Sequence, residues 1–174
     1  MPRQPILDVS NIDQSRVVAT RRQIYQVNPQ QYEFAQLDGI CLLDREAHLI
    51  VGFRDIRADE FWVRGHIPGR PVFPGVLMIE TAAQLVSYYV MSDMDDERFL
   101  GFGGVDKVRF RGQVVPGDRI IMVGKMVKER AGRRYVGRTE AFVDGRIVYD
   151  GMITGVFLGA ASAGREPAPP ASPE

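Results

Sequence analysis

Residues 76–91 read VLMIETAAQLVSYYVM, the longest apolar-rich stretch of the chain. Wound as a helix, the stretch carries apolar side chains almost all round, at Val76, Leu77, Ile79, Ala82, Ala83, Leu85, Val86, Tyr89 and Val90. Such a helix has to be covered on most sides. It is too short to span a membrane and is interrupted by Glu80 and Gln84, so a buried helix of a soluble domain is expected. What surrounds it reads as strands. Residues 39–56 are β-branched and aliphatic, with Asp44-Arg45-Glu46 as a polar hairpin within them. Residues 99–110, 119–129, 134–143 and 147–157 each carry the pattern of a half-buried strand. Pro116-Gly117-Asp118, Ala131-Gly132 and Asp144-Gly145 separate them, the last being a dipeptide favoured in two-residue hairpins. The predicted product is an antiparallel meander curved around one central helix, an α+β arrangement with an apolar side left for a partner subunit.

At 174 residues and 45% hydrophobic content, the chain has the length and the apolar material of one domain. Its 22 basic and 22 acidic side chains cancel, so no overall field favours nucleic acid or an anionic membrane, and neither partner is expected. Cys41, the single cysteine, has no companion for a disulfide or a thiolate metal site and reads as a small core residue. That usage fits a reducing compartment, and the first twenty residues hold no apolar block of signal-peptide length, so a cytoplasmic location is expected. Residues 1–27 read as an N-terminal extension packing as a short helix and loop, residues 28–158 as the domain. Residues 159–174, small and proline-rich, read as a disordered tail.

The segment from Phe61 to Gln84, FWVRGHIPGRPVFPGVLMIETAAQ, is where chemistry concentrates. Three prolines and three glycines between Gly65 and Gly75 encode a rigid irregular loop that meets the helix at Pro74-Gly75. At a helix start the first N–H groups lack intrahelical acceptors and the dipole is positive, so Gly75 and Val76 would offer donors to a developing oxyanion. His66 lies nine residues before Gly75, and Glu80 lies five beyond it, where a buried carboxylate is costly unless paired or functional. Removing the α-proton of a thioester needs a base and oxyanion donors, and expelling a 3-hydroxyl needs an acid. Each residue also has an ordinary structural reading: His66 as a loop histidine, Glu80 as a solvent-exposed helix position with Gln84 as its hydrogen-bond partner. Their joint occurrence around one specific loop favours the chemical reading.

GHIPGRPVFPGVLMIETAAQ resembles the signature of the 3-hydroxyacyl-[acyl carrier protein] dehydratases of bacterial type II fatty-acid synthesis, with Gly65-His66, Pro68, Pro71, Pro74-Gly75-Val76-Leu77, Glu80 and Gln84 at the family's spacing. The segment VDKVRFRGQVVPGDRI is similar to the family's strand and turn ending in Pro-Gly-Asp, and NPQQYEFAQLDG is weakly similar further upstream. The resemblance implies a hot-dog fold, in which an antiparallel sheet wraps one long helix. It also implies a homodimer or trimer of dimers with active sites at the dimer interface, and dehydration of (3R)-3-hydroxyacyl thioesters to trans-2-enoyl thioesters without metal or cofactor. Carried over, His66 is the base, Glu80 the acid, Gly75 a main-chain oxyanion donor beside Val76, and Gln84 the residue that orients Glu80 or a water; Phe73 would touch substrate.

Ile67, Phe73 and Gln30-Gln31 depart from the family's usual residues, and these changes touch the acyl tunnel and its supports rather than the acid and base. Arg57, Arg64, Arg70, Lys107, Arg109 and Arg111 would form either a rim for an acidic acyl carrier protein or coenzyme A phosphates, or an ordinary solvated surface. A hot-dog thioesterase and a non-catalytic acyl-thioester binding protein stand as alternatives on the same fold.

Overall fold

The computed structural model describes residues 4–94, 98–130 and 132–158. Ala131 and the proline-rich tail read as disordered lie outside the described residues. The chain enters through a 3-10 turn, Val9–Asn11, then β1 (Ala19–Thr20) and α1 (Arg21–Val27). The helix α1 starts on a capping box, with the Thr20 side chain accepting from the Gln23 N–H and the Gln23 side chain accepting from the Thr20 N–H. A second 3-10 turn, Tyr32–Phe34, leads into β2 (Gly39–Asp44) and β3 (Leu49–Asp55). After a long loop come α2 (Gly75–Met91), β4 (Phe99–Phe110), β5 (Arg119–Arg130), β6 (Arg134–Val143) and β7 (Arg146–Leu158).

Two hairpin expectations meet different outcomes. At Asp144-Gly145 both residues have positive φ, 48° and 74°, the geometry whose twist matches a two-residue hairpin. The β2–β3 turn is longer than the predicted three polar residues: it takes in residues 45–48, with His48 at φ 56°.

All strand pairs are antiparallel in one sheet of order β1-β2-β3-β5-β6-β7-β4. This corrects the expected simple meander. Consecutive strands are neighbours within β1-β2-β3 and within β5-β6-β7, whereas β4 lies at the far edge on β7 and β5 returns to pair with β3. Period-2 patterning states which face a side chain occupies; it does not state which neighbour a strand takes.

The helix α2 lies across the inner face, where Leu85, Val86, Tyr89, Met122, Ile153 and Tyr149 belong to one buried cluster. It sits so close that a Cβ on Gly137 of β6 would fall 2.8 Å from a Val86 methyl, which is why that strand position has no side chain. The outer face is covered in part by the N-terminal segment: Val9 is buried with Val51, Phe53, Val123 and Phe142, and Ile6, Leu7 and Ile12 pack against them. Cys41 is buried in the same cluster, and burial pushes its thiol up. One long helix held in a curved antiparallel sheet is the hot-dog arrangement. No helix among the described residues is long and apolar enough to cross a membrane.

Candidate active site

The loop between β3 and α2 is held at both ends by backbone. Phe73 N–H donates to the Val114 carbonyl at 2.7 Å, and the His66 N–H donates to the Trp62 carbonyl at 2.8 Å. His66 itself is exposed. Its Nδ1 lies 2.7 Å from the Val72 carbonyl oxygen, and the Val72 N–H returns a bond to the His66 carbonyl at 3.1 Å. A carbonyl only accepts, so Nδ1 carries the proton in this pairing, and Nε2 presents a lone pair to the outside.

Pro74 precedes α2 and supplies no side-chain cap, and among the described residues the Gly75 and Val76 N–H groups meet no acceptor. The start of the helix is therefore a pair of free donors at the positive end of its dipole. A Cβ on Gly75 would lie 2.8 Å from carbons of the Phe110 ring, so a side chain here fits only if that half-exposed ring swings aside. Phe73 is fully buried, edge-on to Trp62 at 5.5 Å, and under the Arg54 guanidinium at 4.9 Å. In the single chain its ring belongs to the core.

Glu80 is half-buried one turn before Gln84, whose Nε2 donates to Glu80 Oε1 at 2.7 Å. The amide of Gln84 is buried and spends its full capacity. Nε2 also donates to the Phe34 carbonyl at 2.6 Å, while Oε1 accepts from the Tyr25 hydroxyl at 2.7 Å and from the Gln36 N–H at 2.9 Å. With four partners the amide has one orientation, and Glu80 is offered an N–H rather than a carbonyl. Glu80 Oε2 has no partner among the described residues. Burial pushes the Tyr25 hydroxyl up to about 12, keeping it a neutral donor.

Glu80 lines a small recess with Gln30, Ala83, Ser87, Phe99 and Phe102, among others, about 80 Å³ in volume. Gln30 Oε1 is buried without a partner. His66 is absent from the walls of that recess. The single chain therefore gathers Glu80 with Gln84, and Gly75 with Val76, while His66 sits elsewhere, beside the segment that follows β4, where Arg70 donates to Gln113 at 3.2 Å.

The six basic residues expected at a rim are not one cluster. Arg57 approaches Asp38 at 3.4 Å in a groove with Tyr32 and Phe61, Lys107 lines a different groove with Lys128 and Arg134, and Arg111 pairs with Asp150 at 2.5 Å. Sequence reading passed over Tyr25, Gln36, Arg54 and Glu60. The one available signal was Arg54, a cation directly after the apolar run LIVGF of residues 49–53 and within the same strand.

The model of the FabA-like domain matches residues 28–152. The chain is 38% identical over 130 residues to the 3-hydroxyacyl-[acyl-carrier-protein] dehydratase FabZ of Clostridium botulinum, covering 72% of this chain and 87% of that protein. It is 38% identical over 141 residues to the protein of the same name from Syntrophobacter fumaroxidans, covering 79% and 92%. Among solved structures, the dehydratase heterocomplex ApeI:P from Xenorhabdus doucetiae superimposes with a TM-score of 0.67 at 12% identity, over 78% of this chain and 91% of that one. A hypothetical thioesterase with coenzyme A from Streptococcus pneumoniae superimposes at 0.53 and 14%, over 71% and 87%. At those identities the two structures speak to fold alone.

Proposed function

The chain belongs to the FabA-like family and dehydrates 3-hydroxyacyl thioesters of acyl carrier protein in fatty-acid synthesis; within that activity we propose that His66 is the base and Glu80 the acid, contributed by two copies of the chain. The observation that carries the base assignment is the bond from Nδ1 to the Val72 carbonyl, which leaves Nε2 as an acceptor for the α-proton. As that proton leaves, charge moves onto the thioester oxygen, where the N–H groups of Gly75 and Val76 are free to receive it. Glu80, held through Oε1 by Gln84, gives a proton from Oε2 to the 3-hydroxyl, the C–O bond breaks, and water departs. The proton taken by His66 and the one lost by Glu80 then balance through solvent, and the reverse sequence is hydration.

The two-copy arrangement is supported by β4. Among the described residues its second edge has no strand beside it, and Phe99, Phe102, Val105 and Phe110 expose apolar rings and methyls along the strand. An open, apolar edge strand of this length invites pairing with another strand. Phe99 and Phe102, near the start of β4, line the Glu80 recess, whereas the His66 loop is bonded to Gln113 and Val114 just past the end of β4. Roughly 35 Å of extended strand lies between those ends. Antiparallel pairing of β4 with its copy about a two-fold axis brings the end of one strand to the start of the other, and with it the His66 of one protomer to the Glu80 of its partner.

Hydration of crotonyl thioester, on acyl carrier protein and on coenzyme A, followed by loss of enoyl absorbance, tests the assignment. His66→Ala and Glu80→Gln are each expected to lower kcat by at least about 1,000-fold in an oligomer of unchanged size. Activity retained by either variant would remove that residue from the mechanism.

A further inference from the structure

We infer that Arg54 is a positioning residue shared by the two catalytic groups of a protomer, holding the His66 loop through Glu60 and the Glu80 carboxylate through Gln36. The inference rests on the assignment of His66 and Glu80 above. Arg54 projects from β3 into the interior with its side chain 3% exposed, and it pairs there with Glu60, 8% exposed. Burial pulls the guanidinium down, and the Glu60 carboxylate opposes that pull.

Beyond the ion pair the two side chains bond in two directions, while the guanidinium Nε is buried with no hydrogen-bond partner among the described residues. On one side Glu60 Oε2 accepts from the Trp62 indole at 2.9 Å and Oε1 accepts from the Arg57 N–H at 2.9 Å, so both ends of the turn at residues 57–62 are tied to it. The Trp62 carbonyl in turn receives the His66 N–H at 2.8 Å. On the other side Arg54 donates to the Gln36 side-chain oxygen, and the Gln36 N–H donates at 2.9 Å to Gln84 Oε1, whose amide nitrogen holds Glu80. Between these arms the guanidinium lies over Phe73, two residues before Gly75. One cation therefore touches the base's loop, the approach to the oxyanion donors and the acid's support.

A buried ion pair is poor value as a source of stability, since apolar groups of similar volume serve as well or better, whereas its directed bonds fix the segments they reach. With His66 and Glu80 of one protomer serving different sites, Arg54 stands between the two sites of a dimer.

The test uses the full chain in the crotonyl-acyl carrier protein assay, with melting temperature and oligomer size measured alongside. Arg54→Met combined with Glu60→Gln removes the charges together, leaving no lone buried ion. Its expected behaviour is a folded oligomer with kcat lowered on the order of 10- to 100-fold and KM within about twofold of wild type, the signature of misplaced groups rather than lost binding. Trp62→Phe, which keeps an aromatic ring against Phe73 while deleting the indole donor to Glu60 and part of the ring volume, is expected to lower kcat several-fold with KM likewise unchanged, and serves if the double variant does not fold. A kcat within twofold of wild type in either folded variant, or a loss confined to KM, overturns the inference. His66→Ala and Glu80→Gln run in parallel: if they stay active the residue assignment fails and takes this inference with it, and if they are inactive while the folded Arg54→Met/Glu60→Gln enzyme keeps a kcat within twofold of wild type, Arg54 alone is excluded.

Discussion

At the scale of single residues the site depends on orientation more than on composition. Gln84 is the clearest case: four bonds fix which end of the amide faces Glu80, and three of the four partners come from residues 25–36, far from it in sequence. The spacing of Glu80 and Gln84 at i and i+4 shows in the sequence that they share a helix face. That Tyr25, Phe34 and Gln36 complete the amide is not legible there, because nothing local records which loop folds over a helix. Gly75 was singled out as a helix-start donor, and the structure adds a steric reason for glycine. Gly75→Ala would drive a methyl to 2.8 Å from the Phe110 ring. It is expected to lower kcat on the order of 10- to 100-fold while the protein remains folded, measured by hydration kinetics beside a thermal melt; a wild-type kcat would show that the Phe110 ring swings aside and leaves the donors in place.

At the scale of elements, α2 and the hairpin around Asp144-Gly145 follow from local chemistry, one from a run of apolar residues of helical length and one from residues that accept positive φ. The placement of β4 does not. Its alternation is interrupted by bulges between Phe102 and Gly104 and between Asp106 and Arg109, and its rank at the sheet edge follows from where α2 delivers the chain. Edge position makes its exposed apolar residues meaningful. Val105, 38% exposed, lies mid-strand. Val105→Lys puts a charge where the proposed partner strand lies, and is expected to shift the protein to monomer by size-exclusion chromatography and to abolish hydration together; an active monomer would count against the shared site.

At the scale of the whole molecule, the proposed geometry makes a quantitative demand. If each site takes His66 from one protomer and Glu80 from the other, inactive His66→Ala and Glu80→Gln proteins, dissociated and reassembled together, must regain activity. Random reassociation into dimers makes half of them mixed, each with one intact site of two, so about a quarter of wild-type activity is expected. No recovery from mixed dimers confirmed by mass would place both residues in one protomer. The N-terminal segment belongs to this scale as well. Within residues 1–27 Ile24 is fully buried, the Tyr25 hydroxyl donates to Gln84, and Val9 packs on the outer face of the sheet, so this segment takes part in the packing of the domain that follows it.

The sequence by itself determined the central helix, the loop that meets it at Pro74-Gly75, most strand segments, and the gathering of His66, Gly75 and Glu80, the groups proposed for the chemistry, within one stretch of chain. Those features are set by local means: periodicity, backbone restriction and spacing along a helix. Tertiary structure alone decided that β4 lies at an edge of the described sheet, that His66 lies outside the recess lined by Glu80, and that a buried arginine bonds to both Glu60 and Gln36. Each of those depends on which distant segments come together, a choice made by the burial of whole faces and the satisfaction of buried polar groups across the molecule, which no short window of residues contains.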